Sequence, residues 1–230
     1  MKKLKTKGII LNRTDFSEAD RILTFLTPDY GKLRVIAKGV RKIKSKMAGG
    51  IELLSVSDIG FIRGRGELST LISTRLIRHY GAIVKDLDRT MAAYDFMKQI
   101  DRLTEDEVDA EYFLLLEQAF GALNETSINL NLVQSWFAMQ ILRMGGRSPN
   151  LLSDTNGNRL SLSNDYDFDF GSMAFIQIDE GHFNAKHIKF LRLGFEGRSP
   201  ERLQNIDGVD QLIIDISPLA QTMLKTYIQI

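Results

Sequence analysis

The feature that most constrains this chain is a change in the period of its apolar residues near residue 88. Before that point they come in short runs or at period two. Five segments read as strands within about 80 residues: Gly8–Asn12, Arg21–Thr27, Lys32–Lys38, Ile51–Arg63 and Glu67–Ile77. Pro28-Asp29-Tyr30-Gly31 is a turn sequence, and Gly64-Arg65-Gly66 reads as a tight hairpin between the last two strands. In Lys32–Lys38, Leu33, Val35 and Ala37 fall on one face, with Lys32, Arg34, Ile36 and Lys38 on the other. Five short strands with no helical stripe between most of them point to a small barrel.

After the change the spacing is helical. Ala93, Phe96, Met97, Ile100 and Leu103 follow an i, i+3, i+4, i+7 pattern. Phe113, Leu116, Ala119, Phe120 and Leu123 repeat it, as do Val133, Trp136, Phe137, Gln140, Ile141 and Met144, and Gly145-Gly146 stops the third helix. Residues 150–180 turn strand-like again. Asn156-Gly157 signals a hairpin flanked by Leu151-Leu152 and Leu160/Leu162, and Tyr166–Phe170 pairs with Met173–Ile178 in a second. Ala185–Leu193 and Pro218–Ile228 are helix-like, with Ser199-Pro200 and Ser217-Pro218 read as helix starts. The expected fold is α+β, with a barrel domain over 1–80 and a helical domain over 81–230 that carries a small β insertion at about 150–180.

Composition narrows the chemistry. Hydrophobic residues make up 43% of the 230, enough for a core without staples. There is no cysteine, which excludes disulfides, thiolate metal sites and cysteine nucleophiles. The apolar run Ile9–Leu11 is too short for a signal peptide, and no stretch approaches the ~18 apolar residues of a membrane span, so a cytoplasmic, membrane-free protein is expected. The net charge of +1 conceals a polarity: residues 1–80 hold 17 Lys and Arg against 7 Asp and Glu, and residues 81–230 hold the remaining 13 against 22. The basic front part suits a polyanion.

Signatures of catalysis are weak. His79, His182 and His187 fall in no zinc-protease spacing, and neither a Walker loop nor a Gly-x-Ser-x-Gly elbow occurs. Asp165, Asp167 and Asp169 alternate as in a calcium loop, but Phe170 and Ile176 stand where that loop needs Gly and Glu, so a half-buried strand is the better reading. No cofactor, metal or catalytic residue is expected. The basic set is coherent by contrast. Lys32, Arg34 and Lys38 project from one strand, Arg41, Lys42, Lys44 and Lys46 follow in an acid-free loop, and Arg63 and Arg65 sit at the hairpin tip. Tyr30 and Phe61 are the candidate base stackers; with so few aromatics, binding should be dominated by phosphate contacts.

Several of these segments, in order, resemble the N-terminal signature of the RecO family. They are Glu18-Ala19-Asp20-Arg21-Ile22-Leu23 with Thr27, Gly31-Lys32-Leu33, Ala37-Lys38-Gly39-Val40-Arg41-Lys42, Lys44-Ser45-Lys46, and Gly64-Arg65-Gly66-Glu67-Leu68. The resemblance implies an OB-fold barrel followed by a helical bundle with a zinc-ribbon-like insertion. It also implies a non-catalytic mediator of recombinational repair in a RecF-type pathway, in the bacterial cytoplasm with the nucleoid. Such a protein binds and anneals single- and double-stranded DNA, pairs with RecR, contacts the C-terminal tail of single-strand-binding protein and helps load RecA. Many members carry Cys-x-x-Cys pairs in the insertion; here Ser153 and Asn156 take the first pair's spacing, so a degenerate, zinc-free insertion is expected. Arg143 and Arg147 are the candidates for meeting the acidic tail. The alternative is an adaptor that binds only proteins; a nuclease on the same scaffold finds no paired carboxylates or histidines among the basic residues.

Overall fold

The structure, a computed structural model, describes residues 2–228 except 43, 44, 46, 65, 67, 105–109 and 162. Strands β1 (Lys3–Asp15), β2 (Arg21–Thr27), β3 (Gly31–Ala37), β4 (Ser55–Ile62) and β5 (Ser69–His79) close a barrel in the order β1-β2-β3-β5-β4. Within the barrel β3 and β5 pair in parallel, and the other neighbouring strands pair antiparallel. This is the strand order of an OB-type barrel. Closure depends on β1, whose first half pairs with β4 (Lys3↔Ile62 to Ile9↔Val56) and whose second half pairs with β2 (Ile9↔Leu26 to Asp15↔Arg21). The register slips between Ile10 and Asn12, and again at two places in β5; such bulges bend strands enough to close a small sheet on itself.

The period-two reading of β3 holds: Leu33, Val35 and Ala37 enter a core with Ile10, Leu23, Phe25, Ile59, Phe61 and Leu71. Gly8 lies under the Phe25 ring, where a Cβ would stand 2.7 Å from Cδ1. The fourth strand is shorter than expected. The chain makes a 3₁₀ turn at Ala48–Gly50, and Leu54 adopts a positive φ of 55°. Ile51 and Leu54 are buried all the same, because an apolar run can plug a barrel end without joining the ladder.

Helices α1 (Leu87–Leu103) and α2 (Ala110–Asn124) belong with the barrel to one compact unit, Met1–Asn124. Asp86 caps α1 by accepting from the Arg89 amide at 3.1 Å. The buried stripes are those the spacing predicts, including Ala93, Phe96, Met97 and Ile100 on α1 and Phe113, Leu116 and Phe120 on α2. Helix α1 packs against β1 and α2 against β2, so part of the outer barrel surface is covered.

The second unit, Glu125–Ile230, contains α3 (Leu130–Met144), β6 (Asn150–Asp154), β7 (Tyr166–Asp169), β8 (Ala174–Gln177), α4 (Ala185–Phe195), α5 (Pro200–Leu203) and α6 (Val209–Tyr227). Helix α3, carrying the buried Trp136, is packed by α4, α5 and α6. It ends in a Schellman motif: Gly146, at φ 67°, donates to the Arg143 carbonyl, and Arg147 donates to that of Leu142. The small sheet has the order β6-β8-β7, with the expected β7–β8 hairpin. The Asn156-Gly157 turn also forms, with Gly157 at φ 83° and a Leu160 amide bond to Leu152, but the ladder partner of β6 is β8, in parallel. Leu162 lies outside the described residues. One expectation fails: Ser217-Pro218 does not start a helix but lies inside α6. Proline removes one bond to the carbonyl four residues back, here that of Ile214. Both residues are exposed, on a face where water can replace the lost bond, while Leu212, Ile216, Leu219, Ala220 and Met223 bury the opposite stripe.

Candidate nucleic-acid interface

The expected cations do not form one uniform cluster. Arg34 and Lys38 project outward from β3 and are exposed, as the alternation requires. Arg34 stands opposite Thr24 of β2, on the outer face shared by those strands. Lys32 is on the same face but engaged: its ammonium reaches the Asp101 carbonyl at 2.6 Å and the Asp101 carboxylate at 3.0 Å. It ties the barrel to α1. Lys44, Lys46 and Arg65 lie outside the described residues.

Arg41 has a double role. Its guanidinium donates to the Ser17 carbonyl at 2.9 Å and faces the Asp15 carboxylate at 3.5 Å, while its backbone N–H donates to the Ala19 carbonyl. Beside it Gly39, at φ 66°, donates to the Asp20 carboxylate at 2.7 Å. Arg21 donates to Asp15 at 2.7 Å. That bond, with the charges of Arg41 and Arg13, holds the Asp15 carboxyl below its ordinary 3.8. The loop between β1 and β2 is thereby clamped to the loop after β3, leaving Lys38 and Lys42 exposed beside the clamp. Sequence reasoning read Arg41 only as a cation. The clamp was hinted at by Asp20 and by a glycine directly before the basic loop.

At the other end of β3, Tyr30, Lys32, Leu33, Arg34, Arg63, Gly64, Gly66 and Ser69 line a recess of about 360 Å³. Tyr30 packs edge-on against Phe61, centroids 5.3 Å apart, and the Arg63 guanidinium stands 5.7 Å from the Tyr30 ring centre. Phe61 is fully buried, so of the two candidate stackers only Tyr30, half-buried with the Arg63 guanidinium over its ring, retains exposed surface. An aromatic ring beside guanidinium groups can stack a base and hold a phosphate.

In the second unit Arg143 and Arg147 are exposed at the C-terminal end of α3, where cations complement the helix dipole. Arg143 donates to Gln140 at 3.1 Å, and Gln140, buried, donates to the Gly194 carbonyl of α4. The insertion's donor set does not fit zinc. Ser153 and Asn156 offer no thiolate, and the Ser153 hydroxyl is bonded by Asn150. Buried Asp154 holds the turn instead, accepting from the amides of Asn156 and Asn158 at 2.9 and 2.8 Å. Asp167 and Asp169 are also taken locally, by His182 and by Gly171 and Ser172. Among the described residues no group of three or more metal-ligating side chains gathers. No described helix is long and apolar enough to cross a membrane.

A closed 1-2-3-5-4 barrel with a basic, aromatic-floored recess defines the first unit as an OB-type module. Comparison with known families matches residues 1–80 to Recombination protein O N terminal and residues 84–230 to Recombination protein O C terminal; the chain belongs to the RecO family. Among its relatives, the DNA repair protein RecO of Dehalococcoides mccartyi is 33% identical over 153 residues, 66% of this chain and 60% of that protein. That of Bifidobacterium longum subsp. infantis is 35% identical over 150 residues, 64% of this chain and 62% of the relative. That of Moorella thermoacetica is 34% identical over 148, 64% and 54%. The matched stretch is thus less than two thirds of each relative's length.

Proposed function

We propose that the chain is a non-catalytic, cytoplasmic DNA-binding mediator of recombinational repair. It binds and anneals DNA, single- and double-stranded, and helps load RecA onto strands coated by single-strand-binding protein. The observation that carries this reading is the Tyr30 recess, where one half-buried ring and Arg34 and Arg63 line the same recess of an OB-type barrel. Residues 1–80 supply the DNA-binding domain. Arg34, Lys38, Lys42 and Arg63 are its phosphate contacts, extended by Lys44, Lys46 and Arg65, while Lys32 and Arg41 act chiefly by holding the face in place. Residues 81–230 serve the protein partners, RecR and the acidic tail of single-strand-binding protein, with Arg143 and Arg147 meeting the tail.

Fluorescence anisotropy of a labelled single strand across a salt series tests this, with Lys42, Lys44 and Lys46 all changed to Ala and the Arg41 clamp left in place. Each lost phosphate contact removes about 0.7 from the log–log salt slope. A steep wild-type slope that flattens in the variant is the expected result. No wild-type binding at low salt would leave the protein-only adaptor as the better reading. Tail-peptide affinity unchanged in an Arg143→Ala/Arg147→Ala variant would remove the tail assignment.

A further inference from the structure

The barrel carries a second basic face that the proposed function does not use. Along the first half of β1, Lys3, Lys5 and Lys7 are exposed while Leu4 and Thr6 turn inward. Lysines two residues apart on a strand face stand about 6.7 Å apart, from a rise of about 3.3–3.4 Å per residue. Their neighbours across the ladder are Ile62, Gly60 and Asp58 of β4, and beyond these Ser73 and Arg75 of β5. Gly60 presents no side chain at the centre of this face. The result is an open trough of about 500 Å³, with Lys5 and Lys7 on one bank and Arg75 on the other.

The trough also holds two acids, and both are engaged. Asp58 receives the Arg75 guanidinium at 2.5 Å, and Asp29 accepts the Thr6 hydroxyl at 2.5 Å. Among the described residues Lys3, Lys5 and Lys7 make no ion pair with an acid. Over Lys3–Lys7 the strand is hydrogen-bonded to β4 alone, β2 joining β1 only from Ile9, so these lysines also line an open stretch of strand edge. Regularly spaced ammonium groups beside an open trough suit the phosphodiester backbone, whose counterions they would release. In the ring β1-β2-β3-β5-β4 the β1–β4 seam lies across from β3, so this face points away from Arg34 and Lys38.

We propose that the Lys3-Lys5-Lys7 face is a second binding site for a nucleic-acid backbone, so that one barrel holds two strands at once. The inference rests on the reading that the chain binds DNA. Holding both strands on one body raises their effective concentration for each other, which is what annealing requires.

The test uses the full chain and two non-complementary single strands of about 10 nucleotides, within the roughly 4–16 that one OB-fold occupies, so that neither wraps both faces. The first strand is immobilised and loaded with protein; capture of the labelled second strand is then measured. Wild type should capture it, and Lys3→Ala/Lys5→Ala/Lys7→Ala should capture at least tenfold less while still loading on the first strand. The salt slope of second-strand capture should be steeper in wild type by about 2, three contacts' worth. If wild type loads but captures nothing, or the variant captures as well as wild type, the second site is overturned and the proposed function stands. If wild type does not load on the first strand, both fall.

Discussion

Replacing Tyr30 separates base stacking from phosphate neutralisation. Its ring lies between the buried Phe61, 5.3 Å away edge-on, and the Arg63 guanidinium at 5.7 Å. Stacking one base on such a ring is worth about 1–3 kcal/mol. Tyr30→Ala should therefore weaken single-strand binding by roughly 5- to 150-fold, at about 1.4 kcal/mol per decade. The salt slope should stay unchanged, because the phenol neutralises no phosphate. Arg63→Ala should behave in the opposite way, lowering the slope magnitude by about 0.7, with a loss that is greatest at low salt and shrinks as salt rises. Tyr30→Phe keeps the ring and should bind within about twofold of wild type. Tyr30 is half-buried against the barrel core, so the alanine variant also loses packing, on the order of 1–2 kcal/mol of stability. A thermal melt confirms that it remains folded at the assay temperature. Binding of Tyr30→Ala within twofold of wild type, or a loss accompanied by a flattened slope, would refute the stacking role.

Three further outcomes follow from the second unit. Asp154→Ala removes the buried carboxylate to which the amides of the exposed turn residues Asn156 and Asn158 donate, and should cost about 1–3 kcal/mol in denaturant unfolding; under about 0.5 kcal/mol would mean that the turn does not depend on it. His182 is raised above its ordinary 6.5, first by its hydrogen bond to Asp167 and then by that carboxylate's charge. For a raised histidine the stabilising contribution is complete below the unfolded value near 6.5 and disappears as pH rises through the higher folded value. An NMR titration should show that elevated midpoint, returning towards 6.5 in Asp167→Asn. Pro218→Ala restores an amide inside an exposed stretch of α6 and should raise stability by about 1–3 kcal/mol; a destabilised variant would show that the proline shapes α6 in a way its missing hydrogen bond does not explain.

The alternation in β3 and the helical stripes of α1, α2 and α3 were legible in the sequence because each is a local period, and a period fixes which side chains share a face. The basic character of the barrel was legible for the same reason: exposed cations on a strand face need no partner to be recognised. The ordered segments from Glu18 to Leu68 also marked the family. Tertiary structure decided the rest. Lys32 and Arg41 look like Lys38 and Lys42 in the sequence, yet Asp101 lies 69 residues from Lys32, and Ser17 lies 24 residues from Arg41. Pro218 resembles a helix start after Ser217 until the buried stripe of α6 is seen to run from Val209 through it. The lysines of β1 are, in the sequence, only part of the basic charge of residues 1–80 until β4 brings Gly60 beside them and β5 brings Arg75. A side chain's neighbours along the chain follow from the backbone's own geometry. Its neighbours across space depend on register and barrel closure, which many weak contacts settle together.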